Sequence, residues 1–284
     1  MTGRDGQSVV VTGASTGIGA DCARYLEEQG FRVFATVRTE RDAERIAAAG
    51  RSRLEPLLLD VTDPGSIATA AEAVEAALRG EALAGLVNNA GISVDLPIEC
   101  VEIDVLRRLL EVNTVGPVAV TQAFLPMLRR ARGRVVNVSS LNGRWANPYS
   151  GAYCMSKFAL EAFTDALRQE LAPWRMHVVS VQPGAIDTAM WEKGLRVAWP
   201  EVLSERHLKL YGNVWPQVRA AAAKAAAGAV PAAAVSRAIF RALTARRPRT
   251  RYVVGLDAHV IVRLAWLLPD RATDWVARRF LGLG

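Results

Sequence analysis

Tyr153 and Lys157 stand four residues apart in the run Ala152-Tyr153-Cys154-Met155-Ser156-Lys157-Phe158. On a helix that spacing puts both side chains on one face. An ammonium beside a phenol favours the phenolate, so such a tyrosine can release and retrieve a proton near neutral pH, the work of a general acid/base. Tyr-x-x-x-Lys also arises by chance on solvated helix faces, so the pair gains weight only from its company. That company is a Ser139-Ser140 pair closing an apolar run upstream, and a glycine-rich turn far earlier, Thr12-Gly13-Ala14-Ser15-Thr16-Gly17-Ile18-Gly19.

The glycine turn follows Val9-Val10-Val11 and precedes a helical pattern. Each glycine removes a Cβ where the backbone turns tightly or approaches a pyrophosphate. The helix N-terminus beyond supplies amide donors and the positive end of its dipole. After the first strand of a βα array this spacing reads as a dinucleotide site; a tight turn without a ligand is the alternative. The tip of the second strand selects the cofactor. NAD-type sites place Asp or Glu there to hold the ribose diol. Here the run is Phe34-Ala35-Thr36-Val37-Arg38-Thr39, with no acid at the tip. The Arg38 guanidinium suits a 2′-phosphate, with Ser15 as a second contact, so NADP(H) is expected ahead of NAD(H). The competing reading of Arg38 is a solvated arginine. Asp60-Val61 ends the third strand, where a carboxylate can accept from the adenine amino group; a turn or helix cap is its other use.

Such residues need a frame that brings them together. Apolar runs that read as buried strands are 8–11, 32–36, 54–59, 86–87, 134–138 and 177–182. Helical patterns lie between them at 18–29, 41–49, 65–78, 103–130 and 152–171, and Asp63-Pro64 reads as an N-cap followed by proline at the first helical position. Continuous β-branched runs separated by amphipathic helices predict a parallel sheet covered on both faces. Right-handed crossovers then give an α/β, doubly wound fold in one domain.

Composition narrows the function classes. The chain has 284 residues, half of them apolar, enough for one sizeable core. No apolar stretch reaches the roughly 18 residues of a spanning helix, and the polar start, Met1 to Gln7, lacks the form of a signal peptide. Three widely spaced cysteines (Cys22, Cys100, Cys154) without Cys-x-x-Cys indicate neither a disulfide framework nor a zinc site, and the expectation is a reduced, cytoplasmic compartment. The net charge of +7 is concentrated: from Arg241 onward nine arginines face three aspartates. No nucleic-acid module accompanies them, so no nucleic-acid partner is expected.

Two segments depart from the βα alternation. Residues 189–230 carry Met190, Trp191, Leu195, Trp199, Leu203, Leu208, Leu210, Tyr211 and Trp215, with Pro200 and Pro216. A long aromatic insertion at the carboxyl ends of the strands reads as a substrate lid, against a helical subdomain that only packs. Residues 257–284 read as a helical tail. Val260, Ile261, Leu264, Leu267 and Leu268 recur at helical spacing, and Trp275, Val276, Phe280 and Leu281 follow Pro269. Packing on the body or a second subunit is the expectation; a hold on an anionic membrane surface is the alternative.

Together the motifs resemble the short-chain dehydrogenase/reductase family over roughly residues 7–190. The matches are Thr12-Gly13-(x)3-Gly17-x-Gly19, Asp60, Asn88-Asn89-Ala90-Gly91, Asn113, Ser140, Tyr153-(x)3-Lys157, and Pro183-Gly184 followed by Thr188. Tyr149 competes as the reactive tyrosine, but only Tyr153 has lysine four residues later, and Ser140 falls 13 residues before it, the family interval. The resemblance implies a Rossmann fold and an oxidoreductase that needs no metal. Tyr153 would exchange a proton with the alcohol or carbonyl oxygen, and Ser140 would hold that oxygen. Lys157 would bind the nicotinamide ribose and depress the tyrosine's pKa, and Asn113, inside the long fourth helix, would support a water relay to Lys157. Asn89, Ala90 and Gly91 would line the cofactor cleft, and Ile186 with Thr188 would position the carboxamide. Asn88 alone reads equally as a structural amide. The run from Ala152 to Glu161 and the Val37-Arg38 turn look most like hydroxysteroid and retinol dehydrogenases. That implies a bulky apolar alcohol or ketone as substrate, and the family implies a homodimer or homotetramer. A 3-oxoacyl-thioester reductase, suggested by Lys193, Arg196, Arg206, Lys209 and Arg219, and a non-catalytic NADP sensor or scaffold are the alternatives.

Overall fold

The computed structural model describes residues 6–188 and 198–283. Nine strands run through them: β1 (Ser8–Val11), β2 (Arg32–Val37), β3 (Leu54–Leu58), β4 (Leu83–Asn88), β5 (Arg134–Val138), β6 (His177–Pro183), β7 (Ile186–Asp187), β8 (Val230–Pro231) and β9 (Arg251–Val254). Seven pair in parallel in the order β3-β2-β1-β4-β5-β6-β9, and β7 pairs with β8 in a short separate ladder. Strand order reverses between β1 and β4, and the crevice at their carboxyl ends is where such sheets take ligands.

Both faces of the sheet are covered, which is why its central strands are apolar on both sides. On one face α1 (Gly17–Glu28) brings Cys22, Ala23 and Leu26 into a core with Val9, Val11, Val136 and Val179. On the other, α3 (Pro64–Leu78) brings Ile67, Ala70 and Val74 onto Val10, Leu86, Val135 and Val178. Leu26 and Phe124 are fully buried, worth roughly 1.5–3 kcal/mol each in transfer free energy. The cap read from Asp63-Pro64 is present: the Asp63 carboxylate accepts the Gly65 amide at 2.9 Å, and Pro64 opens the helix. The helix α2 (Glu40–Ala47) lies between β2 and β3 and is capped by Thr39.

Two elements differ from expectation. The helix predicted over 103–130 is present but changes pitch midway. It forms as α4 (Ile103–Leu110), a π turn over Glu111–Val115, and α5 (Gly116–Ala131). Pro117 has no N–H to return to the preceding turn, so the regular ladder cannot pass through it. The seventh strand, β9, lay unread inside the arginine-rich segment, being four residues long and flanked by charge. Earlier in the chain lie α6 (Gly151–Glu170), α7 (Trp199–Val202), α8 (Glu205–Tyr211), α9 (Trp215–Ala227) and α10 (Ala232–Thr244), and two tail helices follow β9.

The tail helices α11 (Leu256–Leu267) and α12 (Asp270–Phe280) set Ala258, Ile261, Leu264, Val276 and Ala277 against Leu141 and Trp145. Their outer faces leave Leu256, Val260, Trp266, Trp275 and Phe280 in solvent. Among the described residues no helix is long and apolar enough to cross a membrane.

Candidate active site

The glycine turn between β1 and α1 cannot be built from other residues. Gly13 has φ of 67°, and a Cβ on it would lie 2.8 Å from the Ala90 Cα. A Cβ on Gly19 would lie 2.2 Å from the Gly13 carbonyl oxygen and 2.5 Å from Asn89 Nδ2. The turn and the end of β4 are therefore packed backbone to backbone. Thr12 locks them: its Oγ1 accepts the amides of Asn89 and Ala90 at 2.9 and 3.0 Å, and Asn89 Nδ2 donates to the Thr12 carbonyl at 2.9 Å. No side chain caps the N-terminus of α1 at Thr16, which leaves its first amides for an anion. Across the cleft, Thr188 approaches Gly17, where a Cβ would come within 3.3 Å of Thr188 Cγ2. The backbone from Gly13 to Gly19 is shaped to take an anion such as a pyrophosphate, with Asn89 and Ala90 packed against it and Thr188 facing Gly17.

At the rim Arg38 is exposed beyond β2. Arg45 of α2 donates to the Ser15 carbonyl, which ties α2 to the glycine turn. Sequence reading missed Arg45. The signal was the spacing of Arg38, Arg41 and Arg45 at three and four residues. Asp60 Oδ1 accepts both the amide and the hydroxyl of Thr62, at 2.9 and 2.7 Å, so this residue does build a turn. Burial works against its charge, but the Thr62 bonds and the charges of Arg108 and Arg38 outweigh it and hold the carboxyl below its ordinary value. Val61 is buried beside it, its carbonyl against Gly116.

Tyr153, Lys157, Ser140 and Asn113 converge on the opposite wall. Tyr153 lies in the first turn of α6, near enough to the Ser140 side chain for that hydroxyl to favour its phenolate. Ser140 caps the short turn Leu141–Gly143, its Oγ accepting the Asn142 amide at 3.1 Å. The neighbouring Ser139 hydroxyl is buried without a partner among the described residues, whereas Ser140 acts on the tyrosine. Tyr149 stands before α6 with its ring on Trp199, 5.4 Å between centroids. Lys157 is buried; its Nζ donates to the Val138 carbonyl at 3.0 Å and lies 5.7 Å from the centre of the Tyr153 ring. Gly91 faces both Lys157 Nζ and Asn113 Oδ1, at 3.7 and 3.3 Å from a notional Cβ. Asn113, fully buried in the π turn, clamps Ile92: Oδ1 accepts the Ile92 amide at 2.9 Å, and Nδ2 donates to the Ile92 carbonyl at 2.8 Å and to Ser156 Oγ at 3.0 Å. π turns are frequent at such sites because they aim a side chain that a regular helix would not. Asn88 serves the frame, donating to Thr121 Oγ1 and Asn137 Oδ1.

The electrostatics differ from the expectation for Tyr153. Burial pushes the phenol above its ordinary value, and the Ser140 side chain opposes this without overcoming it. Lys157 is not among the groups that lower it, and the Lys157 ammonium is itself disfavoured by burial. That burial takes it down to about 8, with Glu161 acting in the other direction. Tyr153 is thus protonated at neutral pH, the form a proton donor needs.

Beyond the tyrosine, Trp199 is fully buried, stacks on Trp215 at 5.1 Å between centroids, and donates Nε1 to the Asp95 carbonyl at 3.1 Å. Tyr211 donates its hydroxyl to Glu99 at 2.6 Å. The β7–β8 ladder pins the two ends of this excursion together. Met190, Trp191 and Leu195 of the expected lid lie outside the described residues. Sequence reading also missed Asp257, which accepts the Ala185 amide at 2.9 Å and so holds the Pro183-Gly184 turn from the start of α11.

Known proteins resemble this chain over most of its length. The family model described as short chain dehydrogenase matches residues 7–196. Human retinol dehydrogenase 5 is 39% identical over 279 residues, covering 94% of this chain and 86% of that protein. Human 17-beta-hydroxysteroid dehydrogenase type 6 is 36% identical over 282 residues, covering 95% and 87%. Among solved structures, a short chain dehydrogenase from Burkholderia cenocepacia in complex with NADP superposes with a TM-score of 0.73 at 28% identity, covering 98% of each chain. A short chain dehydrogenase/reductase from Burkholderia phymatum in complex with NAD shares the fold, with a TM-score of 0.77 at 21% identity over 93% of this chain and 94% of that one.

Proposed function

This chain belongs to the short chain dehydrogenase family, and we propose that it is an NADP(H)-dependent oxidoreductase acting on a bulky apolar alcohol or ketone, steroid- or retinoid-like. It is an oxidoreductase related to retinol and hydroxysteroid dehydrogenases; the cofactor, the role of Tyr153 and the substrate are our reading. The observation that carries it is the meeting of Tyr153, Ser140 and Lys157 on one wall of a cleft whose other wall is the glycine turn. When bound, the nicotinamide supplies or takes the hydride at C4. Tyr153 donates its hydroxyl proton to the carbonyl oxygen in reduction and recovers it in oxidation. Ser140 holds that oxygen within reach of the phenol. Lys157 holds the ribose and brings positive charge beside the phenolate as it forms. Asn113 keeps Ile92, and with it Gly91, in place beneath this group and supports the proton route to Lys157. The absence of an acid at the strand tip, in the run Phe34 to Thr39, together with Arg38 and Ser15, supports NADP(H) over NAD(H).

The test is turnover of a panel of hydrophobic ketones, retinoids and 3-oxoacyl thioesters with NADPH and NADH. Reduction of apolar ketones with a preference for NADPH is expected. The exposed Arg206, Lys209 and Arg219 favour a second reading, a 3-oxoacyl-thioester reductase, and dominant thioester turnover would establish it. Cofactor binding without turnover of any of them would leave a sensor or scaffold.

The remaining assignments belong to the same proposal. Residues 189–230 close over the substrate, so limited proteolysis between Met190 and Val230 should slow several-fold with NADP plus an active substrate. Unchanged cleavage would make the segment permanent scaffold. The tail is a packing element, so removal of the residues after Asp257 should lower the melting temperature or alter the oligomer. Unaltered stability with loss of sedimentation on anionic vesicles would instead make the outer face with Trp266 a lipid contact. The assembly is a homodimer or homotetramer, checked by analytical ultracentrifugation. The compartment is cytoplasmic, in keeping with the free thiols of Cys22, Cys100 and Cys154.

A further inference from the structure

We propose that Glu161 is a positioning residue for this reaction: its buried carboxylate fixes the turn of α6 that carries Lys157 and supplies the counter-charge of that ammonium. The inference rests on the roles given above to Lys157 and Ser140. Glu161 is 3% exposed, one helical turn beyond Lys157 on the same face. A carboxylate so deeply buried persists only if it is paired and hydrogen-bonded. Glu161 is: it accepts the Ser180 hydroxyl from β6, Arg251 Nε from β9 at 3.1 Å, and faces Arg144 Nη2 at 3.4 Å from the segment after Ser140. Asp165, a further turn along α6, takes the other arm of Arg251 and also faces Arg144 and Arg168. Four parts of the fold are therefore tied at one point.

That point is next to the chemistry. Gly143, which ends the short turn that Ser140 caps, lies flat on α6 between Lys157 and Glu161. A Cβ there would be 2.9 Å from Glu161 Cγ and 3.0 Å from the Lys157 carbonyl oxygen. The turn bearing Ser140 and the helix bearing Tyr153 and Lys157 are thus seated on each other at the Glu161 side chain. Arg251 and Arg144 face Glu161 from its neighbours, and Lys157 stands one turn before it on its own helix, within its electrostatic reach. Two of these are permanent cations, so the Glu161 charge is shared among three partners. The effect on Lys157 is to raise an ammonium pKa that burial otherwise lowers. Arg251, counted from sequence among the arginines of a basic tail, is on this view part of the site's support.

The chain has only four lysines, Lys157, Lys193, Lys209 and Lys224, so Lys157 can be followed by NMR of the cofactor-free protein with ¹³C-labelled lysine, assigned through Lys157→Met. Glu161→Gln should move the Lys157 titration midpoint down by about one pH unit, and the alkaline limb of the kcat/KM profile should move down with it. Glu161→Asp, which keeps the charge but withdraws it by one methylene, should restore most of both, and it carries the test if the glutamine variant does not fold. Arg251→Gln should lower the melting temperature yet leave the midpoint where it was or raise it. A Lys157 midpoint unmoved in both Glu161 variants, with only the melting temperature reduced, would make Glu161 a strut and overturn the proposal. A fully active Lys157→Met would instead remove the reading on which it rests, while the NMR midpoint would still report whether Glu161 and Lys157 are linked.

Discussion

Phenylalanine at position 153 is expected to reduce kcat by about 10²–10⁴-fold, the range that a positioned proton donor contributes, while the dissociation constant for NADPH stays within a few-fold. The change removes one oxygen and keeps the ring, so the packing that seats α6 is conserved. What is lost is the hydroxyl that the Ser140 side chain influences. Because burial keeps the phenol protonated at neutral pH, the wild-type enzyme should hold its reductive rate from neutral pH downward. The rate should fall as pH rises through the region near 8 where the Lys157 ammonium gives up its proton in the cofactor-free protein. Oxidation needs the phenolate and should show the opposite trend. The measurements are kcat and KM for both directions between pH 6 and pH 10, roughly the span that brackets the unperturbed lysine and tyrosine values, with cofactor affinity followed by fluorescence titration. Turnover by Tyr153→Phe at near wild-type rates would remove Tyr153 from the chemistry. A loss accompanied by an equal loss of NADPH binding would make the hydroxyl a cofactor contact instead.

Arg38→Ala should weaken NADPH binding by about ten- to a hundred-fold and leave NADH within about two-fold. A hydrogen bond to a charged group is worth about 1.5–3 kcal/mol, and RT ln 10 is about 1.4 kcal/mol. Arg38 is solvent-exposed, so screening places the effect toward the lower end and makes it shrink as salt is raised. Arg45 keeps the Ser15 turn anchored in the variant, because its contact is with the Ser15 carbonyl. The backbone cradle for the pyrophosphate is therefore unchanged, and the difference between the two cofactors isolates the 2′-phosphate. Equal losses for NADPH and NADH would place Arg38 on the shared part of the cofactor and reverse the assignment drawn from the strand tip.

The parts of this protein legible in its sequence are those that local chemistry dictates. Buried parallel strands must be apolar on both faces, so Val9-Val10-Val11 and the run from Arg134 to Val138 announced themselves. The backbone crossing between Gly13, Gly19 and Asn89 admits no Cβ, so the glycines had to appear at their spacing. The reactive pair shares a helix face, and four residues are enough to say so. What tertiary structure alone decided depends on groups far apart in the chain. Arg251 reads as one arginine among nine until β9 pairs with β6 and brings it to Glu161, 90 residues away. Asp257 reads as a tail residue until it holds the turn at Ala185. Asn113 reads as helical until Pro117 breaks the ladder and turns it onto Ile92. The charge on Tyr153 went the other way from the sequence expectation for the same reason. A neighbouring lysine is written in the spacing, but desolvation is set by everything that packs around both groups, and here it holds the proton on the phenol and loosens it on the amine.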